Sequence, residues 1–159
     1  MSLYLIVFVL LLAFSVYEYW KRQTQKWLYW IAFGILTVML CLRYGQGTDY
    51  FGYLYNYLVT PPIWQAGKLF NGTIHGEPGW LVVCALFRSV KAPFPLLVFL
   101  ISAFEMYCLH RFISKYSPMG TVTLLLAFPT IYMTYVVSAL RQGLVMMVFL
   151  GFLVDWMYR

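Results

Sequence analysis

Charge is what this chain has least of. Only 10% of its 159 residues are charged, 63% are hydrophobic, and the mean hydropathy is +0.76. A soluble domain carries about 25% charged residues. That deficit excludes a disordered chain, a nucleic-acid-binding tail and a water-soluble globule, because too few polar residues exist to cover an apolar core. An integral membrane protein remains, with lipid as its outer solvent. No polar stretch is long enough to fold separately in water, so residues 1–159 read as one membrane domain.

Other absences narrow the chemistry. The cysteines are Cys41, Cys84 and Cys108; none forms a C-x-x-C pair, and each reads as a small buried hydrophobe. His75 and His110 are isolated, so neither a metal nor a cofactor is expected. No Walker A, G-x-S-x-G or H-E-x-x-H motif is present. The N-terminus lacks the positive leader and small-residue cleavage site of a signal peptide. Its charges, Lys21, Arg22 and Lys26, follow the first apolar run instead, which predicts an uncleaved span with the N-terminus outside. The 11 Lys and Arg against five Asp and Glu sit mainly between apolar runs, and read as orientation signals and lipid contacts rather than a nucleic-acid surface.

What is present is a series of apolar runs and many aromatics, 21% of the chain. Spans are expected at 3–20, 27–42, 94–112, 121–140 and 143–158, with Pro129 kinking the fourth. The run 80–90 falls well short of a hydrocarbon core of ~30 Å at ~1.5 Å per residue. The fold is therefore expected to be all-α: a polytopic transmembrane bundle of five full spans, or six, with one short re-entrant or interfacial helix. Charge does not choose between them, since either topology puts six basic residues inside and five outside. Length favours five.

The outer segment 43–78 holds six of the 11 glycines and the tyrosines Tyr44, Tyr50, Tyr53, Tyr55 and Tyr57. Tyr50, Tyr53 and Tyr57 share a face if the stretch is helical. Thr48 or Asp49 would cap such a helix, Pro61-Pro62 would end it, and Asn71-Gly72 reads as a turn.

Four stretches stand out. Arg43-Tyr44-Gly45-Gln46-Gly47-Thr48-Asp49-Tyr50 follows a span and combines a phosphate-fitting arginine with glycines that permit close backbone approach. It reads equally as an interfacial anchor and a helix cap. Glu77-Pro78-Gly79-Trp80 places a carboxylate before a short apolar run, as a helix-start charge or a general base. Leu140-Arg141-Gln142 lies between two apolar runs, as an anchor or a ligand contact. Glu105 falls inside a span, where a carboxylate is expensive and functional by default, or else protonated or paired. Glu18 with Lys21 and Arg22, and Asp155 with Arg159, read as ordinary helix-end pairs.

With its basic loop 21–26, the Leu-Arg-Tyr-Gly-Gln-Gly-Thr-Asp-Tyr stretch at 42–50, Glu-Pro-Gly-Trp at 77–80 and Leu-Arg-Gln at 140–142, the chain resembles the EpsG family of bacterial membrane proteins. These are polysaccharide polymerases of the Wzy type. The resemblance implies a glycosyltransferase-type enzyme that joins lipid-linked oligosaccharide repeat units into an exopolysaccharide, capsule or O-antigen chain. The site would lie at the outer face of the cytoplasmic membrane. The partners would be a polyprenyl-pyrophosphate-linked oligosaccharide, membrane lipids and other polysaccharide assembly proteins, without nucleic acid. Arg43, Arg141 and Gln142 would hold the pyrophosphate or glycan, Asp49 or Glu77 would serve the acceptor hydroxyl, and Tyr50 and Tyr53 would line a sugar groove. Family members are longer, so this length implies an N-terminal part or a truncated member, inactive alone in the latter case. An export component and a non-catalytic partner are the alternative functions.

Overall fold

The computed structural model describes residues 2–21, 25–47, 49–65, 67 and 77–157. The Thr48 cap, the Asn71-Gly72 turn, His75, Arg22 and Arg159 lie outside the described residues. The described residues are helical and contain no strand. In order they form α1 (Ser2–Lys21), α2 (Lys26–Cys41), α3 (Tyr50–Val59), a 3-10 turn (Ile63–Gln65), α4 (Pro78–Ser89) and α5 (Phe94–Tyr116). Next come α6 (Gly120–Ala127) with a π-wound continuation (Phe128–Ser138), α7 (Leu140–Val148) with a π-wound continuation (Phe149–Leu153), and the short α8 (Val154–Met157).

Among the described residues two helices, Leu3–Lys21 and Phe94–Tyr116, are long and apolar enough to cross a membrane. Lys26–Cys41, Pro78–Ser89, Gly120–Thr134 and Leu140–Leu153 are apolar but shorter. Part of the shortening has a cause in the chain. Pro129 has no N–H and its ring crowds the preceding turn, and winding changes from α to π at Phe128. The Thr134 hydroxyl bonds the Pro129 carbonyl five residues back, at 3.3 Å.

Periodicity decides which face of each helix is buried. On α1 the buried residues are Val7, Leu11, Ser15 and Glu18, a single stripe of three- and four-residue steps, while Leu5, Ile6, Val9 and Val16 are exposed. On α2 the stripe is Leu28, Ala32, Leu36 and Leu40. These stripes meet Met106, Leu109, Leu124, Phe128 and Tyr132 in the main core. Apolar side chains pointing away from that core suit a lipid surround, in which helices gain most from close packing and hydrogen bonds. Both are seen. The Tyr132 hydroxyl donates to the Leu36 carbonyl at 2.7 Å. At Gly151 an added Cβ would lie 2.9 Å from the Cys108 Cβ and 3.2 Å from its Cα, so only glycine fits where the end of α7 crosses α5.

Glu18, read from sequence as a helix-end partner of Lys21 and Arg22, has other partners among the described residues, which do not include Arg22. It is 1% exposed, and its carboxylate accepts the Thr121 backbone N–H at 3.1 Å, the Thr121 hydroxyl, and the Gln25 N–H at 3.3 Å. It therefore caps α6 from a neighbouring helix, where the positive helix end favours an anion. The three cysteines are free thiols, Cys84 and Cys108 buried and Cys41 half-buried.

A second apolar cluster sits at the end of the molecule where α2 stops and α5 and α7 begin. Tyr50, Tyr53 and Tyr57 supply the buried face of α3 and meet Trp80, Phe94, Leu97 and Leu140. Helix α4 touches α3 near both of its own ends. The Trp80 ring lies 5.4 Å from Tyr53, and the Arg88 guanidinium lies 5.7 Å from the Tyr57 ring. The two short helices thus run side by side over this end of the bundle. The opposite end gathers the end of α1, the starts of α2 and α6 and the end of α5.

Candidate functional site

Arg141 occupies the first turn of α7, directly after the π-wound stretch and Ala139. Its Nη1 donates to Glu77 Oε2 at 2.6 Å. Its Nε lies 3.5 Å from the Tyr53 hydroxyl, and the guanidinium sits over the Tyr53 ring, 5.4 Å from the centroid. Three stretches far apart in sequence therefore converge on one guanidinium. Glu77 stands at the N-cap position of α4 with Pro78 opening the helix, yet its side chain makes no capping bond. The carboxylate is turned to Arg141 instead. Glu77 is 67% exposed and Arg141 33%, so the pair stays accessible to solvent and ligand.

Beneath the pair is a cavity of about 760 Å³. Glu77, Arg141 and Gln142 form its polar mouth, and Val83, Leu144 and Phe149 are among its apolar walls. A polar, charged rim over an apolar trough suits an amphiphilic ligand with an anionic head.

Arg43 is placed differently. It is 6% exposed, and its Nη1 donates to the Val137 carbonyl at 2.8 Å. It interacts electrostatically with Glu105, which is wholly buried in α5 with neither carboxylate oxygen hydrogen-bonded. A wholly buried carboxyl without a hydrogen bond is costly to ionise. Val137 lies four residues before Arg141, across the break at Ala139, so Arg43 ties the end of α2 to the backbone that delivers Arg141.

The remaining residues divide by exposure. Asp49 is exposed at the N-cap position of α3; its carbonyl accepts the Tyr53 N–H at 2.9 Å and its side chain makes no capping bond. Asp49 and Tyr53 are one turn apart and share a side of α3. Tyr50 is buried, with its ring 5.4 Å from Phe94 and 5.7 Å from Tyr44. Burial, helped by Tyr44, pushes its phenol above the ordinary value, and Arg43 opposes the shift. Tyr53 is buried too, but its hydroxyl reaches Arg141. The structure thus brings Glu77, Arg141 and Gln142 to one mouth, sets the buried Tyr53 against Arg141, and takes Arg43 and Tyr50 into the interior. The Arg43–Val137 link had no sequence signal, because a backbone acceptor leaves no residue pattern.

Apolar helices, with a charged mouth over an apolar cavity at one end, suit a helical membrane protein. Its family follows from comparison: the EpsG family model matches residues 26–154, and the chain belongs to the EpsG family, Wzy-like polysaccharide polymerases or related membrane proteins. Comparison with curated proteins and with solved structures gives no match.

Proposed function

We propose that this chain forms the reaction site of a polymerase that joins lipid-linked oligosaccharide repeat units into an exopolysaccharide, capsule or O-antigen chain. The observation that carries the reading is the Arg141–Glu77 pair, 2.6 Å apart over an apolar cavity. In this reading the pyrophosphate of the polyprenyl donor takes the place of Glu77 on the Arg141 guanidinium. Its lipid lies along the apolar walls. Displaced from Arg141, Glu77 accepts the proton of the acceptor hydroxyl as that oxygen bonds the anomeric carbon. The bond from anomeric carbon to phosphate oxygen breaks, and Arg141 stabilises the departing pyrophosphate. Asp49 is the second candidate base, Gln142 and Tyr53 hold glycan hydroxyls, and Arg43 positions the Arg141 segment. Tyr50 supports α3 from below.

The same reading places the site at the outer face of a bacterial cytoplasmic membrane, with the N-terminus outside and five spans: α1, α2, α5, α6 with its continuation, and α7 with its continuation. The contact of α4 with α3 near both of its ends supports a helix lying along the surface. An export role is the second reading, and the buried Glu105 is the observation that favours it. Reconstitution of the protein with a lipid-linked repeat unit separates the two. Longer glycans without vectorial movement support polymerisation; movement without chain growth contradicts it.

A further inference from the structure

Glu105 stands near the middle of α5, a helix long and apolar enough to cross a membrane. It is 0% exposed, and neither carboxyl oxygen has a hydrogen bond. Ser102, one turn earlier on the same side of α5, is also wholly buried, and its hydroxyl has no hydrogen bond either. Polar side chains left unbonded in an apolar core are costly, and native structures contain few of them. A carboxyl at this depth in a span is a site for function rather than for packing.

The charge state of the carboxyl follows from what Arg43 bonds. An ionised carboxylate in an apolar interior takes the short, charge-assisted bonds that the nearest cation can give. Arg43 is that cation, within electrostatic reach of Glu105. Its Nη1 nonetheless donates to the Val137 carbonyl at 2.8 Å, and no guanidinium nitrogen bonds Glu105. A neutral acid fits this arrangement and an anion does not. The other titratable groups around Glu105 are Cys41 at the end of α2, Tyr132 in the continuation of α6 and Cys108 one turn on in α5. Tyr4 of α1 interacts with Arg43 and Tyr132. Thiols and phenols are uncharged at neutral pH, so none of these supplies a second cation. On α7, which also packs on α5, the titratable side chain is Arg141, held by Glu77 at the cavity mouth.

The same geometry provides for the ionised form. The Ser102 hydroxyl, a helical neighbour three residues away, can turn its proton to a carboxylate. Arg43 can exchange a neutral carbonyl for a charged oxygen, which makes a bond about twice as strong.

We propose that Glu105 is an intramembrane proton-binding site coupled to Arg43. In this structure the carboxyl holds its proton and Arg43 holds Val137. On release the O–H bond breaks, its electron pair stays on the carboxyl oxygen and the proton passes to water. Arg43 then moves from Val137 to the carboxylate, and the backbone four residues before Arg141 loses its tie to the end of α2. The site lies apart from the Arg141 mouth and does not rest on the reaction assigned there.

The test is infrared spectroscopy of the full chain in uncharged detergent, read at the carbonyl stretch of protonated carboxyls. At neutral pH the parent should show this band, Glu105→Gln should lack it and Glu77→Gln should keep it. Labelling the glutamates with carbon-13 should shift the band in the unsubstituted parent, which identifies it even where Glu105→Gln does not fold. Absence of the band at neutral pH, or its survival in Glu105→Gln, would overturn the proposal. As pH rises the parent band should fall. In Arg43→Met it should persist about 1 pH unit or more higher, because the cation that favours the anion is gone, and in Ser102→Ala by a smaller step. A band that titrates alike in the parent and both variants would overturn the coupling, as would one that persists until the protein unfolds.

Discussion

Arg141 Nη1 lies 2.6 Å from Glu77 Oε2, joining the first turn of α7 to the start of α4 across 64 residues of sequence. Glu77 is well exposed and Arg141 partly so, and exposed pairs contribute about 0–1 kcal/mol. Stability alone is a weak reason for this contact. Glu77→Gln should therefore leave thermal unfolding within about 1 kcal/mol of the parent. The same change should slow glycan extension about a hundredfold or more, as loss of a general base does. A large loss of stability with extension intact would reverse the assignment.

Arg43 makes the opposite demand. It is buried and holds the Val137 carbonyl, a charged hydrogen bond whose loss costs about 1.5–3 kcal/mol. Arg43→Met should destabilise on that scale in detergent unfolding, while Glu105→Leu, which removes a buried carboxyl without a hydrogen bond, should leave stability unchanged or raise it. A large loss in Glu105→Leu would show that its carboxyl is charged and compensates Arg43.

Glu18 offers a test of capping against simple charge pairing. Glu18→Ala strands the Thr121 N–H and hydroxyl in a buried setting, at a cost of about 1–3 kcal/mol. Lys21→Ala should change stability by less than about 0.5 kcal/mol. Equal effects of the two substitutions would restore the helix-end pair.

At Gly151 the crossing of α5 leaves no room for a side chain. Gly151→Val should cost about 1–3 kcal/mol through overpacking. An unchanged unfolding midpoint would mean that the helices separate there without penalty.

Topology is open to labelling. In a cysteine-free background, Arg141→Cys and Lys115→Cys should react with impermeant reagents from opposite sides of the membrane, Arg141→Cys from outside. Labelling of Arg141→Cys only from the cytoplasm would separate Arg141 from the proposed outer site.

Much of the helical fold is legible in composition and periodicity. The run at 94–112 extends four residues further, to Tyr116, because the polar end of α5 still presents Ile113 to the core. The tyrosine face of α3 follows from the spacing of Tyr50, Tyr53 and Tyr57, and Pro61 marks its stop. What is not legible is pairing across the chain. Glu18 looks tied to Lys21 and Arg22 because all three are neighbours in sequence, and nothing there shows its bonds to Thr121, delivered by packing of α6 on α1. Arg43 and Arg141 look alike in sequence, each an arginine beside an apolar run. Burial separates them: one meets a carbonyl in the interior, the other a carboxylate at a cavity mouth.

The most direct measurement is chain growth by the purified protein in liposomes supplied with a lipid-linked repeat unit, comparing the parent with Glu77→Gln and Arg141→Gln at equal protein content. Glycan lengthening by the parent, lost in both variants while their unfolding is unchanged, is the expected result. Lengthening that persists in both variants would contradict a reaction site built on Arg141 and Glu77.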